Sequence, residues 1–290
     1  MTVENVRAFT IYLQQRETKY DRNPFLKGTS GKLSSAYIQG CVRVLRAFSS
    51  WLAEEGYTEE NVLRPLRPPR VRRKVVDTLS DDEIKAILGA LDPNDPFGAR
   101  DYALVWTLLD CGLRASEICG LTQPGVDLGA GVLKVLGKGN KERLVPIGAA
   151  CQKALLRWQN HFRPSFCDLP TNGFFLDASG YPLSTNALHC LVKRLGRRAR
   201  VPRLHPHLFR HTFATNYLVH RVGDPFRLQQ MLGHTTLEMV RHYVSKANLE
   251  RDLLDRRAST MDVFLTNWGD HGKGRRVQAR RNRPRLRAVR

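Results

Sequence analysis

A tyrosine near the end of a predicted helix, Tyr243, is accompanied by basic residues that could act together on a phosphate group. His207 and Arg210 are three residues apart and therefore share one face of a predicted helix. Taken singly, each of these residues is typical of an ordinary surface or core position, but jointly they suit one chemistry. The candidate catalytic residues are Arg114, Lys138, His207, Arg210, His234 and Tyr243.

That chemistry is transfer at a phosphodiester. Two arginines can hold the non-bridging phosphate oxygens bidentately with permanent positive charge. A tyrosine hydroxyl can serve as a covalent nucleophile, and lysine and histidine can donate or accept protons. Phosphoryl transfer depends chiefly on positioning and on charge stabilisation. The set therefore predicts an enzyme that forms a covalent bond to phosphate.

Two other kinds of site are disfavoured by spacing. His205, His207 and His211 form the pattern H-x-H-x3-H, but no carboxylate or cysteine joins them at the spacing of zinc ligands. The segment GKGNKE at 137–142 contains glycine and lysine but lacks the spacing of a nucleotide-binding P-loop. We therefore expect neither a metal nor another cofactor.

The charge of the chain indicates a polyanionic partner. There are 47 lysines and arginines against 27 aspartates and glutamates, a formal net charge of +20. Three runs carry this excess, at 64–74, 193–203 and 269–290. Clustered positive charge is typical of proteins that bind nucleic acid or an acidic membrane surface, and we favour nucleic acid.

The expected location of the protein is the cytoplasm, at the nucleoid. No run of about 18 apolar residues predicts a membrane span, and the N-terminus lacks the pattern of a secretion signal. Six cysteines are scattered without a C-x-x-C pair, which is typical of free thiols in a reducing compartment.

The hydrophobic pattern predicts mostly helices and one small sheet. Ser80 and Glu83 form a capping-box pattern before an apolar stripe, which predicts the start of a helix. Strands are predicted at 131–136 and 143–147, joined by the turn 137–142, with a third strand at 173–176. Helices are predicted at 3–13, 34–52, 99–110, 115–121, 149–162, 185–199, 207–219, 225–232 and 236–244, and a loop at 23–32.

The predicted fold class is therefore mainly α with a small antiparallel β-sheet (α+β). The proline-rich, basic segment 64–76 is predicted to be a linker between a small helical domain, 1–63, and a larger domain, 77–262. The arginine-rich tail, 263–290, is predicted to be disordered.

Five ordered motifs carry a resemblance to a known family. They are GLRASEICGL at 112–121, GKGNKERLVPI at 137–147, HLFRHTFAT at 207–215, LGH at 232–234 and HY at 242–243. This arrangement, over residues 34–258, resembles the tyrosine recombinase (phage integrase) family and is closest to its Xer-like bacterial branch. The resemblance implies a helical DNA-clamp domain followed by a catalytic domain.

The resemblance also implies a role for each candidate residue. Tyr243 would attack the scissile phosphate, form a 3′-phosphotyrosyl bond and free a 5′-hydroxyl, while Arg114 and Arg210 hold the phosphate. Lys138 would protonate the leaving oxygen, His207 would assist proton transfer at the tyrosine, and His234 would hydrogen-bond the phosphate. Glu117, one turn beyond Arg114, is expected either to orient Arg114 or to be an ordinary surface acid.

The implied function is site-specific recombination of DNA by an integrase- or transposase-type enzyme. The resemblance implies a homotetramer on two double-stranded DNA sites, with a paralogous recombinase as a further possible partner. An apolar stripe of Leu249, Leu253 and Leu254 suits packing on a neighbouring protomer. Two alternatives stay open, a type IB topoisomerase that relaxes DNA and a non-catalytic DNA-binding relative.

The N-terminal segment departs from the family pattern. The clamp of the family normally opens with two additional helices before the segment that residues 3–13 resemble. We therefore expect either a shortened clamp or a true start upstream of Met1.

Overall fold

The computed structural model describes residues 2–19, 28–71, 76–137, 139–166, 171–220, 224–234 and 236–254, with the backbone alone at 242, 249 and 251–254. Lys138, residues 72–75 of the predicted linker and the predicted tail 263–290 lie outside this part. The chain divides into two compact units, Met1–Lys74 and Val75–Arg290. Among the described helices, none is both long and apolar enough to cross a membrane.

The smaller unit contains the two predicted helices, now α1 (Val3–Gln15) and α2 (Ser35–Glu54). Each begins at a hydroxyl side chain, Thr2 or Ser34, which accepts a hydrogen bond from a backbone N–H of the first turn. A short hairpin of β1 (Thr18–Lys19) and β2 (Thr29–Ser30) connects them, so that part of the predicted loop is strand. A buried cluster in this unit consists of Val6, Val42, Leu63 and Leu66.

The larger unit is mostly helical, as predicted. Its helices are α3 (Asp81–Gly89), α4 (Pro96–Cys111), α5 (Ala115–Cys119), α6 (Ala149–Arg157), α7 (Thr185–Arg198), α8 (Pro206–Val219), α9 (Pro225–Leu232) and α10 (Glu238–Leu254). The predicted capping box is present at α3, because Ser80 and Glu83 each bond the backbone N–H of the other. α6 is shorter than predicted and continues as a π-helical turn, Trp158–Phe162, whereas α10 extends ten residues beyond its predicted end.

The small antiparallel sheet is confirmed, but its third strand is not the predicted one. The order is β3–β4–β5, formed by Val126–Asp127, Val132–Leu136 and Glu142–Pro146. The prediction of a strand at 173–176 is wrong, because this segment makes only isolated bridges, Thr122 with Gly173 and Leu176 with Pro182. Its apolar run reflects complete burial in the core rather than membership of a ladder.

Two buried clusters hold the larger unit together. The main cluster surrounds α4 and includes the inner faces of β4 and β5, with Leu104, Leu108, Leu133 and Val145 completely buried. The second cluster joins α8, α9 and α10, and Tyr243 belongs to it. The candidate nucleophile is therefore carried on a helix that is packed into the unit.

The described cysteines agree with the prediction of free thiols. They are Cys41, Cys111, Cys119, Cys151 and Cys190.

Candidate functional site

Arg114 lies at the start of α5, where a sharp turn follows α4. Gly112 ends α4 with φ of 59°, a left-handed conformation that glycine adopts without strain. The backbone N–H of Arg114 then donates to Glu117 Oε2 at 2.8 Å, and its Nη1 donates to Glu117 Oε1 at 2.7 Å. Glu117 therefore fixes both the backbone and the side chain of Arg114.

Glu117 is the centre of a cluster of arginines. Arg143 from β5 forms a bidentate pair with it, with Nη1 and Nη2 each 2.9 Å from a carboxylate oxygen. Arg210 Nη1 lies 4.0 Å from Oε2. Burial opposes the charged form, but hydrogen bonds from Arg143 and the Arg114 backbone outweigh it, and the pKa of Glu117 falls to about 2. The carboxylate therefore stays charged at any physiological pH.

Arg210 is the most deeply buried of the candidate residues that the structure describes, with 3% of its surface exposed. It lies in the middle of α8, and its guanidinium donates to the Gly112 and Leu232 carbonyls, each at 2.7 Å. Burial and the neighbouring charge of Arg114 lower its pKa to about 10, so Arg210 still carries a full positive charge at neutral pH.

Three arginines hold the end of α9 through three successive carbonyls. Arg143 Nε donates to the Met231 carbonyl at 2.8 Å, Arg210 to that of Leu232, and Arg114 Nη2 to that of Gly233 at 3.1 Å. The last carbonyls of a helix lack partners within it and carry partial negative charge. The positive cluster and the end of α9 therefore stabilise each other.

His234 follows directly from this helix end. Gly233 has φ of 61°, which turns the chain and brings His234 back over Arg210. Arg210 Nη2 lies 2.9 Å from His234 Nε2, and since a guanidinium only donates, Nε2 accepts and the ring proton is on Nδ1. Burial and the charge of Arg210 lower the pKa of His234 to about 4. His234 is therefore neutral at physiological pH.

Tyr243 lies on α10, close to His234 and to His211 of α8. Its ring is nearly parallel to that of His234, with centroids 6.3 Å apart and planes at 12°. Its hydroxyl lies 2.9 Å from His211 Nδ1. Burial raises its pKa, against the opposing influence of Arg210 and Arg114, so the phenol keeps its proton in this state.

α10 is anchored close to the tyrosine. Lys246, nearly one turn further on, donates through Nζ to the Val76 carbonyl and to Thr78 Oγ1, both at 2.6 Å. On α8, Thr212 Oγ1 accepts from the backbone N–H of Leu79 at 2.9 Å. Both helices that carry the site are thus tied to the segment 76–79.

The remaining candidates are placed differently. His207 is exposed in the first turn of α8, where its ring centroid is 6.1 Å from that of His211. Partial desolvation by the surrounding residues and the charge of Arg210 lower the pKa of His207. His205 Nδ1 lies 2.8 Å from the Arg203 carbonyl oxygen. Lys138 lies outside the described residues, next to Gly139 and Asn140, whose positive φ values of 76° and 59° form the turn between β4 and β5.

Two residues of the site were not predicted from the sequence. Arg143 shares the inner face of β5 with the buried Val145, and an arginine on that face needs an acidic partner. His211 is four residues after His207, so the two lie on one helix face. Strand alternation and helical spacing were therefore the signals that could have identified them.

The whole arrangement presents positive charge beside a buried phenol. Arg114 and Arg210 are held in place by Glu117 and by backbone carbonyls, so little reorganisation is needed when an anion binds. Two neutral histidines, His211 and His234, lie next to the tyrosine ring. The geometry suits an anionic group that reacts with the Tyr243 oxygen.

Comparison with known proteins gives consistent matches over most of the chain. Residues 77–250 match the model of the phage integrase family. The chain is 35% identical over 226 residues to the tyrosine recombinase XerC of Xylella fastidiosa, which covers 74% of each protein. It is also 35% identical over 218 residues to XerD of Xanthomonas axonopodis, which covers 71% of each.

Solved structures agree in fold. The crystal structure of the XerA recombinase matches with a TM-score of 0.56 and 26% identity, covering 88% of this chain and 83% of that one. The XerH site-specific recombinase, bound to a palindromic difH substrate in a post-cleavage complex, matches with a TM-score of 0.68 and 19% identity. That match covers 89% of this chain and 72% of the XerH chain.

Proposed function

The chain belongs to the phage integrase family of tyrosine recombinases, which cleave and rejoin DNA, and on this premise we propose that Tyr243 is its nucleophile. The family and the recombinase function expected from the sequence motifs are thereby confirmed. The relatives named above are recombinases, which favours recombination over simple relaxation of DNA. The residue roles that follow are our proposal.

The observation that carries the proposal is the convergence of one phenol, two arginines and two histidines. The Tyr243 ring is close to those of His211 and His234, and His234 contacts Arg210. A phosphodiester held by the arginines would therefore be close to the phenol oxygen. Attack by that oxygen forms the bond to phosphorus, breaks the bond to the 5′-oxygen and leaves a 3′-phosphotyrosine.

Arg114 and Arg210 are proposed to hold the non-bridging oxygens of the scissile phosphate. Arg114 is partly exposed, with 26% of its side-chain surface accessible, so a phosphate can reach it from solvent. Arg210 supplies positive charge from the protein interior, where the electric field of the charge is stronger than in water. His234 is proposed to hydrogen-bond the same phosphate.

Proton transfer is assigned to two further residues. Lys138 is proposed to protonate the leaving 5′-oxygen, since an alkoxide is a poor leaving group. His207 is proposed to assist proton transfer at the tyrosine, and its ring lies 6.1 Å from that of His211, which contacts the phenol. The 5′-hydroxyl of a second strand can then attack the phosphotyrosine and reverse the chemistry.

Double-stranded DNA at a specific site is the proposed substrate, bound by a homotetramer on two duplexes. The net charge of +20 supports a DNA partner, as do the DNA complexes in which structural neighbours were solved. A paralogous recombinase is a proposed second partner, and the nucleoid the proposed location. The apolar stripe proposed for packing between protomers, Leu249, Leu253 and Leu254, lies outside the described side chains.

The first experiment tests the nucleophile with nicked DNA sites that trap the covalent intermediate. Tyr243→Phe should bind DNA normally and form no adduct. Tyr217→Phe is the matched control, because Tyr217 is a buried tyrosine of the same cluster, and it should form the adduct as wild type does. An adduct formed by Tyr243→Phe would refute the assignment.

The second experiment tests the general acid. Lys138→Ala should slow cleavage by about 100- to 10,000-fold, whereas Lys141→Ala in the same turn should not. Replacing the bridging 5′-oxygen with sulfur should restore cleavage to Lys138→Ala, since a thiolate with a pKa of about 8.5 leaves without a proton. If the sulfur substrate gives no rescue, lysine is not the leaving-group acid.

The third experiment tests the assembly. Two differently labelled DNA sites, mixed with the protein, should yield recombinant products and a complex that contains four protomers. Relaxation of supercoiled DNA by a monomer, with no exchange between labelled sites, would contradict the tetramer.

A further inference from the structure

The hydroxyl of Tyr243 is held by a residue that the catalytic motifs do not assign. His211 Nδ1 lies 2.9 Å from it, and the two ring centroids are 5.7 Å apart. Tyr243 is 6% exposed, so its hydroxyl depends on protein partners for its hydrogen bonds. His207, the histidine assigned to proton transfer, is exposed and makes no hydrogen bond to this hydroxyl among the described contacts.

The charges around His211 determine the protonation state of its ring. His211 is half-buried and faces His205, His207, Arg210 and Lys246, all of which oppose a further positive charge. Burial and these neighbours lower the pKa of His211 to about 4, so the ring is neutral. A neutral histidine with its ring proton on Nε2 accepts at Nδ1, and we assign this tautomer to His211, so that the protonated phenol donates the hydrogen bond.

This bond constrains the oxygen that is proposed to react. When the O–H points at Nδ1, the lone pairs of the oxygen point away from His211. The Tyr243 ring is also nearly parallel to that of His234, with centroids 6.3 Å apart, so a second neighbour restricts its movement. Lys246 and Thr212 fix the backbones of α10 and α8 to the same segment, which keeps the histidine and the tyrosine in register.

We propose that His211 is a positioning residue that orients the Tyr243 hydroxyl for attack on the scissile phosphate. It acts by accepting the phenol hydrogen bond, not by taking the proton away. The proposal rests on the proposed role of Tyr243 as the nucleophile. Its physical basis is that a misplacement of about 1 Å in a reacting atom costs about 100-fold in rate.

Two substitutions separate positioning from proton transfer. His211→Asn keeps an acceptor, since Asn Oδ1 reaches nearly the place of Nδ1, but it cannot act as a base. His211→Leu has a similar volume and no acceptor. His220→Leu is the control, because His220 lies exposed at the other end of α8.

The measurement is the single-turnover rate of adduct formation on nicked DNA from pH 5.5 to 8.5, together with DNA affinity. His211→Leu should be about 10- to 100-fold slower at unchanged affinity, and His211→Asn within about threefold of wild type with the same pH profile. If His211→Leu does not fold, as judged by thermal unfolding, His211→Ala replaces it with the same expected result.

Each other outcome overturns the proposal. Wild-type rates in both variants would mean that the hydrogen bond has no part in the reaction. An Asn variant as slow as the Leu variant would mean that the ring takes the proton. A Leu variant faster than wild type would mean that the bond restrains the tyrosine. Tyr243→Phe, run in parallel, reports separately on the nucleophile itself.

Discussion

Replacing Glu117 with glutamine removes one charge from the centre of the arginine cluster while keeping the shape of the side chain. The carboxylate accepts four hydrogen bonds, two from the Arg143 guanidinium, one from the Arg114 guanidinium and one from the Arg114 backbone. The amide nitrogen of glutamine would face two of these donors as a third donor. Glu117→Gln should therefore leave buried arginines without a counter-charge.

Two quantities indicate how much free energy of unfolding Glu117→Gln should lose. Lowering the pKa from 4.5 to about 2 corresponds to about 3 kcal/mol in favour of the charged form at neutral pH. Breaking a buried ion pair by removing one partner costs about 3–5 kcal/mol. Glu117 has 2% of its side chain exposed, so solvent screens the pair little. We expect Glu117→Gln to reduce the free energy of unfolding by about 3–5 kcal/mol.

The assay is urea unfolding at pH 7 followed by circular dichroism. The matched control is Glu142→Gln, whose partner Lys134 is 2.9 Å away with both side chains more than half exposed. That pair should be worth less than about 1 kcal/mol. The double variant Glu117→Gln/Arg143→Gln should lose less free energy of unfolding than the two single variants lose together, by about 0.5–3 kcal/mol.

The reasoning is refuted if Glu117→Gln costs no more than Glu142→Gln. It is also refuted if the effects of Glu117→Gln and Arg143→Gln add without coupling, because the cluster would then not act as a unit.

Four further predictions concern stability, pH, binding and metal. Gly112→Ala should reduce the free energy of unfolding by about 2–4 kcal/mol, because φ is positive there and a Cβ would lie 2.3 Å from the Phe213 ring. The control Gly89→Ala has open space around it and should not lower the melting temperature. Stability should fall as the pH drops from 6.5 to about 4, where the unfolded but not the folded His234 binds a proton. His234→Asn should make the free energy of unfolding less dependent on pH between 6.5 and about 4. If urea unfolding shows the same pH dependence in this variant as in wild type, the pKa of His234 is not lowered in the folded protein. Deleting 270–290 should lower the log–log salt dependence of DNA affinity by about 0.9 per lost phosphate contact, and an equal slope would show that the tail does not touch DNA. Adduct formation should proceed in EDTA, because the arginines already supply positive charge, and a loss that one metal restores would contradict this.

Local signals were sufficient to predict most of the elements. The capping box of Ser80 and Glu83 and the glycines that end α4 and α9 act within a few residues, so the sequence alone specifies them. The strand prediction at 173–176 was wrong because complete burial and strand pairing produce the same apolar run.

Part of the candidate site could be predicted from the sequence, but Arg143, His211 and the contacts among the residues could not. The motifs identified Arg114, Arg210, His234 and Tyr243, which the fold brings together. The bond from Arg143 to Glu117 joins residues 26 positions apart, and that from His211 to Tyr243 joins residues 32 apart. Such contacts depend on tertiary packing, which no short-range pattern encodes.

Arg114, Arg143 and Arg210 donate hydrogen bonds to the carbonyls of Gly233, Met231 and Leu232. These bonds limit which substitutions can abolish the activity of such an enzyme while its fold is kept. A lineage that lost one of these arginines would lose folding stability together with charge, and the cell would degrade the product. Loss of the Tyr243 oxygen removes one atom from a helix that stays packed. Descendants that have become silent DNA-binding proteins should therefore have discarded the tyrosine first and kept the arginines longest.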